Sequence, residues 1–96
     1  MQNEYITVTE FCTSHQVDSS FVVALANEGL IDITVIESSL NIDAEQLSDL
    51  EKYTRWQFEM GLGPEAIDVI HNLLDRINSM QNEINYLRSR LAVYEG

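Results

Sequence analysis

The stretch VTEFCTSHQVDSSFVVALANEGLI, residues 8–31, contains the clearest structural pattern in this chain. Thr9 is placed as an N-cap residue, whose hydroxyl can accept a hydrogen bond from the first turn of a helix over residues 10–14. After a short turn, Asp18 or Ser19 caps a second helix. This helix carries apolar residues at helical spacing, Phe21, Val22, Leu25 and Ala26. The pattern predicts two short helices joined by a tight turn, a helix-turn-helix.

The residues around this pair predict its end and a small β element. Gly29 is the natural left-handed residue after a helix C-terminus, because glycine has no Cβ to clash in that conformation. The stretch ITVIESSLNI, residues 33–42, is rich in β-branched side chains and is interrupted near Ser38 and Ser39, which predicts a hairpin or wing. YITV, residues 5–8, is a short β-prone lead-in.

A third helix is predicted over residues 44–60. Asp43 followed by Gln46 resembles a capping box at its start. The helix carries two neighbouring apolar stripes, one of Leu47, Leu50, Thr54 and Phe58 and the other of Tyr53, Trp56 and Met60. Because the two stripes together are wide, we expect other parts of the protein to cover this helix on more than one side.

A long last helix follows a break. GLG, residues 61–63, interrupts the helical pattern, and Pro64 restarts it in a helix that ends near Tyr94. The first half of this helix has a broad apolar face of Ile67, Val69, Ile70, Leu73, Leu74 and Ile77. The second half narrows to a heptad stripe of Met80, Ile84, Leu87, Leu91 and Tyr94. A narrow stripe on a projecting helix requires a partner helix, so these five residues are predicted to form a homodimeric coiled coil.

Length and composition indicate one globular domain. The 96 residues are 45% hydrophobic and 22% charged. No apolar run reaches the roughly 18 residues of a membrane span, and the N-terminus lacks the pattern of a signal peptide. The single Cys12 cannot form an internal disulfide, which agrees with a reducing compartment. A cytoplasmic protein without a membrane interaction is therefore predicted.

The charge of the chain is strongly negative and unevenly distributed. The formal net charge is -11. Residues 1–51 contain ten Asp and Glu and no Lys or Arg. Such a surface repels nucleic acid and attracts basic proteins. DNA binding requires cations that neutralise phosphates and reach guanine edges, so the first half of the chain argues against it.

The order of these elements resembles the MerR family of regulators, with a helix-turn-helix, a wing, a further helix, an LG break and a long dimerising helix. The stretch EMGLGPEAIDVIHNLLDRINSMQNEINYLRSRL resembles the hinge and coiled coil of that family. A closer resemblance is to the chaperone modulator CbpM family, a MerR-like group of short acidic proteins. The motifs that carry it are TEFC, residues 9–12, and NEINYLRSRL, residues 82–91.

The resemblance implies an architecture and a function. It implies a mainly α fold, with a MerR-like winged helix-turn-helix domain over residues 1–62 and a dimerisation helix over residues 63–96, together forming one compact unit. CbpM-type proteins bind the J domain of a DnaJ-like cochaperone of the CbpA type and block its stimulation of the chaperone DnaK. An acidic dimer is suited to cover the basic face with which a J domain docks on DnaK.

The predicted partner-binding residues are the exposed acids of the first half and their neighbours, Glu28, Asp32, Glu37, Asp49, Glu51, Tyr53 and Arg55. Tyr53 and Trp56 lie about one turn apart, and aromatic side chains dominate many binding hot spots. Packing of these two rings in the core is the alternative, especially for Trp56. Glu51 and Arg55 have the spacing of an ordinary helix-surface ion pair.

Two other functions are compatible with the pattern. The first is a transcription regulator of MerR ancestry, which binds DNA directly or through a basic partner. The second is a small-molecule sensor that uses aromatic residues such as Tyr53 and Trp56, although no diagnostic spacing supports it.

Catalysis, metal binding and cofactor binding are not predicted. His15 and His71 are far apart in sequence and have no ligand-spaced partner, and a single cysteine makes no zinc site. Cys12 lies beside Phe11 on an apolar face, where a buried inert thiol is usual and a nucleophile is not. The GLG break lacks the Lys and the preceding strand of a phosphate-binding loop.

Overall fold

The computed structural model describes residues 4–95, which form four α-helices and one three-stranded antiparallel sheet. In chain order the elements are β1 (Tyr5–Thr7), α1 (Val8–His15), α2 (Ser19–Asn27), β2 (Thr34–Ile36), β3 (Ser39–Asp43), a single 3₁₀ turn (Ala44–Gln46), α3 (Leu47–Met60) and α4 (Pro64–Glu95). The predicted fold class is confirmed: a mainly helical chain with a small β wing and a long C-terminal helix.

The first helix begins earlier than its sequence pattern indicated. The N-cap is Thr7 rather than Thr9, and the Thr7 Oγ1 accepts a 3.0 Å hydrogen bond from the Glu10 amide. The reason is Val8, which is buried in the core as the first residue of α1. The helix closes at Gln16, whose left-handed backbone directs its amide to the Cys12 carbonyl.

The second helix has the predicted cap residues at both ends. Asp18 is the N-cap, and Gly29 has a φ of 79°. The Leu30 amide donates to the Leu25 carbonyl and the Gly29 amide donates to the Ala26 carbonyl, each at 3.0 Å. These two bonds make a Schellman motif, so the chain leaves α2 in a defined direction.

The wing belongs to a larger sheet than the predicted hairpin. β3 is the central strand, with β1 on one side and β2 on the other. Ile6 lies opposite Ile42, and Val35 lies opposite Leu40. The turn between β2 and β3 is Glu37 and Ser38, both at positive φ, which matches the twist of a two-residue hairpin. The β-prone lead-in of the sequence is therefore an integral strand.

The start of α3 also differs from the predicted capping box. Asp43 caps the 3₁₀ turn by accepting a 3.0 Å bond from the Glu45 amide, but Gln46 is directed elsewhere. Its side-chain amide forms two hydrogen bonds with the backbone of Asp32, from the Asp32 amide at 2.7 Å and to the Asp32 carbonyl at 3.0 Å. Gln46 thus attaches the loop after α2 to the start of α3.

The core lies between α1, α2, the sheet, α3 and the first turns of α4. Its fully buried side chains are Phe11, Val22, Leu25, Ile42, Leu50, Tyr53 and Ile67. The predicted break after α3 is confirmed, because α3 ends at Met60 and Gly61 follows with a φ of 66°. Ile67 on α4 then packs into the core, so the beginning of the last helix belongs to the globular part.

Beyond His71 the last helix leaves the globular part. Every described residue from Asn72 to Glu95 is exposed, and the molecule extends 60 Å along its longest axis. Within residues 4–95 no helix is sufficiently long and apolar to span a membrane.

Candidate partner-binding surfaces

The outward surface of the helix-turn-helix has no Lys or Arg among the residues that the structure describes. α2 exposes Ser19, Ser20 and Asn27, and the residue that caps its C-terminus is the exposed Glu28. The wing ends in the exposed Glu37 and Ser38. These are the positions from which a winged helix-turn-helix would contact phosphates and base edges, and they carry hydroxyl, amide and carboxylate groups.

The predicted partner-binding residues, Tyr53 excepted, are solvent-exposed and lie on several elements of the structure. Glu28 ends α2, Asp32 lies in the following loop, Glu37 lies in the wing turn, and Asp49, Glu51 and Arg55 lie on α3. The backbone of Asp32 is held by Gln46, which positions its exposed carboxylate.

The acids of α3 lie on two sides of that helix. The Glu51 carboxylate is 3.7 Å from Nε2 of His15 on α1, whose ring stacks on Phe11. The Asp49 carboxylate is 3.6 Å from the Lys52 ammonium. The predicted pair of Glu51 with Arg55 is therefore replaced by a contact between helices, with His15 as the partner.

Tyr53 is a correction to the predicted site, because it is 1% exposed and cannot serve as a surface anchor. Its hydroxyl lies 3.3 Å from Nδ1 of His71 on α4, and the other ring nitrogen of His71 lies 3.4 Å from the Asp75 carboxylate. The half-buried Trp56 packs edge-on to Tyr53, and the Lys52 ammonium lies over both rings. Tyr53 thus joins α3 to α4 through His71, and Trp56 packs against it from the same helix.

The environment of Tyr53 makes its ionisation unfavourable. Burial raises the pKa of the Tyr53 phenol above its usual value of about 10, and the carboxylates of Asp49, Asp75 and Asp68 raise this pKa further. The unfolded chain therefore ionises this phenol first as the pH rises. Its contribution to stability is complete below about pH 10 and is lost as the pH rises through the native pKa.

We expect Tyr53→Phe to reduce the alkaline loss of stability. The measurement is urea unfolding of both proteins at pH 8 and pH 10.5, at equal protein concentration. The free energy of unfolding should fall more for the native chain than for the variant, because phenylalanine has no proton to lose. An equal fall in both proteins would contradict the assignment, since the exposed tyrosines are common to both.

A groove runs along α2 beside the junction of α3 and α4. Its larger part has a volume of about 490 Å³ and is lined by Gln16, Val17, Asp18, Ser20, Phe21, Ala24, Gln57, Phe58 and Pro64. A second part of about 290 Å³ is lined by Ala24, Glu28, Gly63, Pro64 and Glu65. Ala24 and Pro64 line both parts, so the two parts adjoin, and together they are called the α2 groove below.

Phe58 is a surface residue that the sequence pattern misplaced. It belongs to the same predicted stripe as the buried Leu50, yet it is 62% exposed at the edge of the α2 groove. Periodicity identified the stripe correctly, but it did not show at which residue the packing of other elements against α3 ends. The nearby GLG break was the available signal, because a helix that stops and turns leaves its last residues outside the packed layers.

The predicted dimer residues form an exposed apolar row on α4. Met80, Ile84, Leu87, Leu91 and Tyr94 are all exposed in the single chain. The row is longer than predicted, because Leu73 and Ile77 continue the same heptad spacing and are also exposed. In the sequence these two residues belong to the broad apolar face of the first half of the helix, of which only Ile67 is fully buried. We call Leu73, Ile77 and the five predicted residues the α4 stripe.

The candidate catalytic and metal-binding residues are dispersed. Cys12 is half-buried, and burial together with the nearby Asp18 carboxylate raises the pKa of its thiol, which disfavours the reactive thiolate. His15 contacts Glu51 and His71 contacts Tyr53 and Asp75. In the part of the chain that the structure describes, no three His, Cys, Asp or Glu side chains are grouped so that they could hold a metal ion.

Comparison with known proteins gives a family match over most of the chain. The family described as MerR HTH family regulatory protein matches residues 6–89. These residues include β1, the helix-turn-helix, the wing, α3 and most of α4. A comparison with curated proteins found no match.

Proposed function

The chain belongs to the MerR HTH family of regulatory proteins, and from this premise we propose that it is a non-catalytic homodimeric regulator that binds protein instead of DNA. Its proposed partner is the J domain of a DnaJ/CbpA-type cochaperone. By covering the basic face of that domain, the dimer would block docking on DnaK and inhibit the cochaperone. The choice of partner rests on the resemblance of the TEFC and NEINYLRSRL motifs to the CbpM family.

The observation that carries the protein-binding proposal is the charge of the helix-turn-helix half. Ten acids and no Lys or Arg occupy residues 1–51, and Glu28, Asp32 and Glu37 are exposed on and around α2 and the wing. Each missing phosphate contact lowers the affinity for DNA, and each carboxylate adds repulsion. The same carboxylates steer a basic protein surface toward this half of the molecule.

The homodimer is supported by the length of the α4 stripe. From Leu73 to Tyr94 the stripe extends over about 32 Å of helix, given a rise of about 1.5 Å per residue. A row of half-exposed Leu, Ile and Met side chains of this length is unfavourable in water and is the normal seam of a paired helix. The dimer places two acidic globular parts in one particle, which strengthens its field toward a basic partner.

The direct test is a calorimetric titration of the full chain with the isolated J domain of the DnaJ-like cochaperone from the same cell. We expect saturable binding at low salt that weakens at moderate salt, because opposite charges on exposed surfaces are screened. Absence of binding at both salt concentrations would remove the J-domain assignment.

A second candidate is a transcription regulator, which the family match fits equally well. In this case the chain would bind DNA directly or through a basic subunit. The anisotropy of a labelled DNA duplex distinguishes the two proposals. A rise in anisotropy with the chain alone at low salt would support the regulator, whereas a flat signal is expected from the charge of residues 1–51.

A further inference from the structure

We infer that the α2 groove is the docking site for a basic amphipathic helix of the partner protein. This inference rests on the proposed function, because it assumes that the regulator acts on a protein, and it adds the surface and the kind of segment that the surface accepts. Helices that dock in this way place an apolar face into a groove and present three or four anchor side chains.

The lining of the groove combines polar and apolar side chains and includes an exposed aromatic residue. Val17, Phe21, Ala24 and Pro64 line the groove, and the first two of these belong to the core and are held in place. Phe58 lies at its edge with 62% of its side chain exposed. A large exposed aromatic at the edge of a concavity is a typical binding hot spot, because contact with a partner removes the apolar surface of the ring from water.

The groove has carboxylates at both of its ends. Asp18 lines it at the N-terminus of α2, and Glu28 and Glu65 line it near the C-terminus. The residues that line its two parts include no Lys or Arg. A segment with apolar side chains in the middle and Lys or Arg on its flanks would therefore satisfy both the apolar residues of the lining and the ends.

The length of the groove favours a short helix. α2 has nine residues from Ser19 to Asn27, which corresponds to about 14 Å at a rise of about 1.5 Å per residue. Two to three turns of a partner helix cover this distance. The polar edge groups Gln16, Ser20 and Gln57 can contact the hydrophilic side of that helix.

The groove is separate from the surface assigned to the second copy of this chain. Its α4 residues are Pro64 and Glu65, whereas the α4 stripe begins at Leu73. Leu73 follows Glu65 by eight positions in the helix, which corresponds to about 12 Å at a rise of about 1.5 Å per residue. Pairing through the stripe therefore leaves the groove available to a different protein, and this separation is the reason for assigning it to the partner.

The test uses isotope-labelled full chain and two unlabelled probes, observed by NMR. The first probe is the isolated J domain. The second is a 14-residue peptide of Leu and Lys with leucines at i, i+3, i+4 and i+7, and the matched control replaces every Lys by Glu. We expect the J domain and the Lys peptide to shift the amide signals of Phe21, Ala24 and Phe58, and the Glu peptide to shift none of them.

The outcomes separate this inference from the proposed function. Binding of the J domain with shifts confined to the wing or to α4 would overturn the groove assignment and leave the proposed function intact. If the J domain shifts no amide signal but the Lys peptide shifts the signals of the groove residues, the J-domain proposal is wrong and the groove assignment is supported. If neither probe shifts the amide signals of the labelled chain, both proposals are wrong.

A pair of variants measures the contribution of the groove. Phe58→Ala should weaken J-domain binding about tenfold or more, as expected for a truncated hot-spot aromatic. Val93→Ala is the matched control, because Val93 is also exposed, at 80%, but lies near the end of α4, outside both the groove and the α4 stripe, and we expect the affinity of this variant to stay unchanged. Equal affinity of Phe58→Ala and the native chain would overturn the inference. So would a Phe58→Ala protein that becomes monomeric in light scattering, because the groove would then belong to the second copy.

Discussion

Leu87→Asp should convert the protein from a dimer to a monomer. Leu87 lies in the C-terminal half of the α4 stripe, between Ile84 and Leu91. In the single chain 56% of its side chain is exposed. In the proposed coiled coil this side chain is buried against the partner helix, where an unpaired carboxylate costs several kcal/mol. Multi-angle light scattering at micromolar concentration measures the change directly.

The control for this substitution is Val93→Asp. Val93 is an exposed aliphatic residue of the same helix, but it lies outside the α4 stripe, so the same charge is added away from the seam. We expect Val93→Asp to remain dimeric. If Leu87→Asp also remained dimeric, the α4 stripe would not be the dimer interface. Circular dichroism of each variant shows whether the globular part is still folded.

Reversal of three acids, Glu28→Lys, Asp32→Lys and Glu37→Lys together, should weaken J-domain binding by about tenfold or more at low salt. All three carboxylates are exposed, and they lie around the helix-turn-helix and wing. The variant replaces attraction to a basic face by repulsion, which slows association. Its remaining affinity should also depend less on salt, since fewer opposite charges are left to screen.

A charge-matched variant separates a local effect from the total charge. Glu4→Lys, Glu83→Lys and Glu95→Lys change exposed carboxylates outside the proposed interface. Both triple variants change the formal net charge from -11 to -5, because each reversal adds two units. We expect the matched variant to keep most of its affinity. If both variants weakened binding equally, only the overall charge would matter and the helix-turn-helix surface would not be the interface.

The sequence determined the features that depend on local hydrogen bonds and local sterics. The end of α2 at Gly29 and the break between α3 and α4 at residues 61–63 were predicted, because a left-handed glycine and an N-terminal proline act within one turn of helix. The absence of Lys and Arg from residues 1–51 is also a property of the sequence, and no packing arrangement can alter it. The charge argument against DNA binding therefore did not require a structure.

Tertiary packing moved several boundaries away from these local signals. Thr7 rather than Thr9 caps α1, because burial of Val8 extends the helix by two residues at its N-terminus. Gln46 bonds the Asp32 backbone, which is 14 residues away, instead of its own helix start. In both cases a distant contact stabilises the chain more than the local cap that the pattern indicated.

The burial of each apolar helix face depends on tertiary contacts that the sequence pattern does not show. Tyr53 and Phe58 lie on neighbouring stripes of one helix, yet α4 and the core bury the first and leave the second at a groove. On α4, Ile67 is buried, whereas Leu73 and Ile77 of the α4 stripe are exposed. Periodicity shows that a helix has an apolar face, but burial depends on which element returns to that face, and this is set by contacts between residues far apart in the chain.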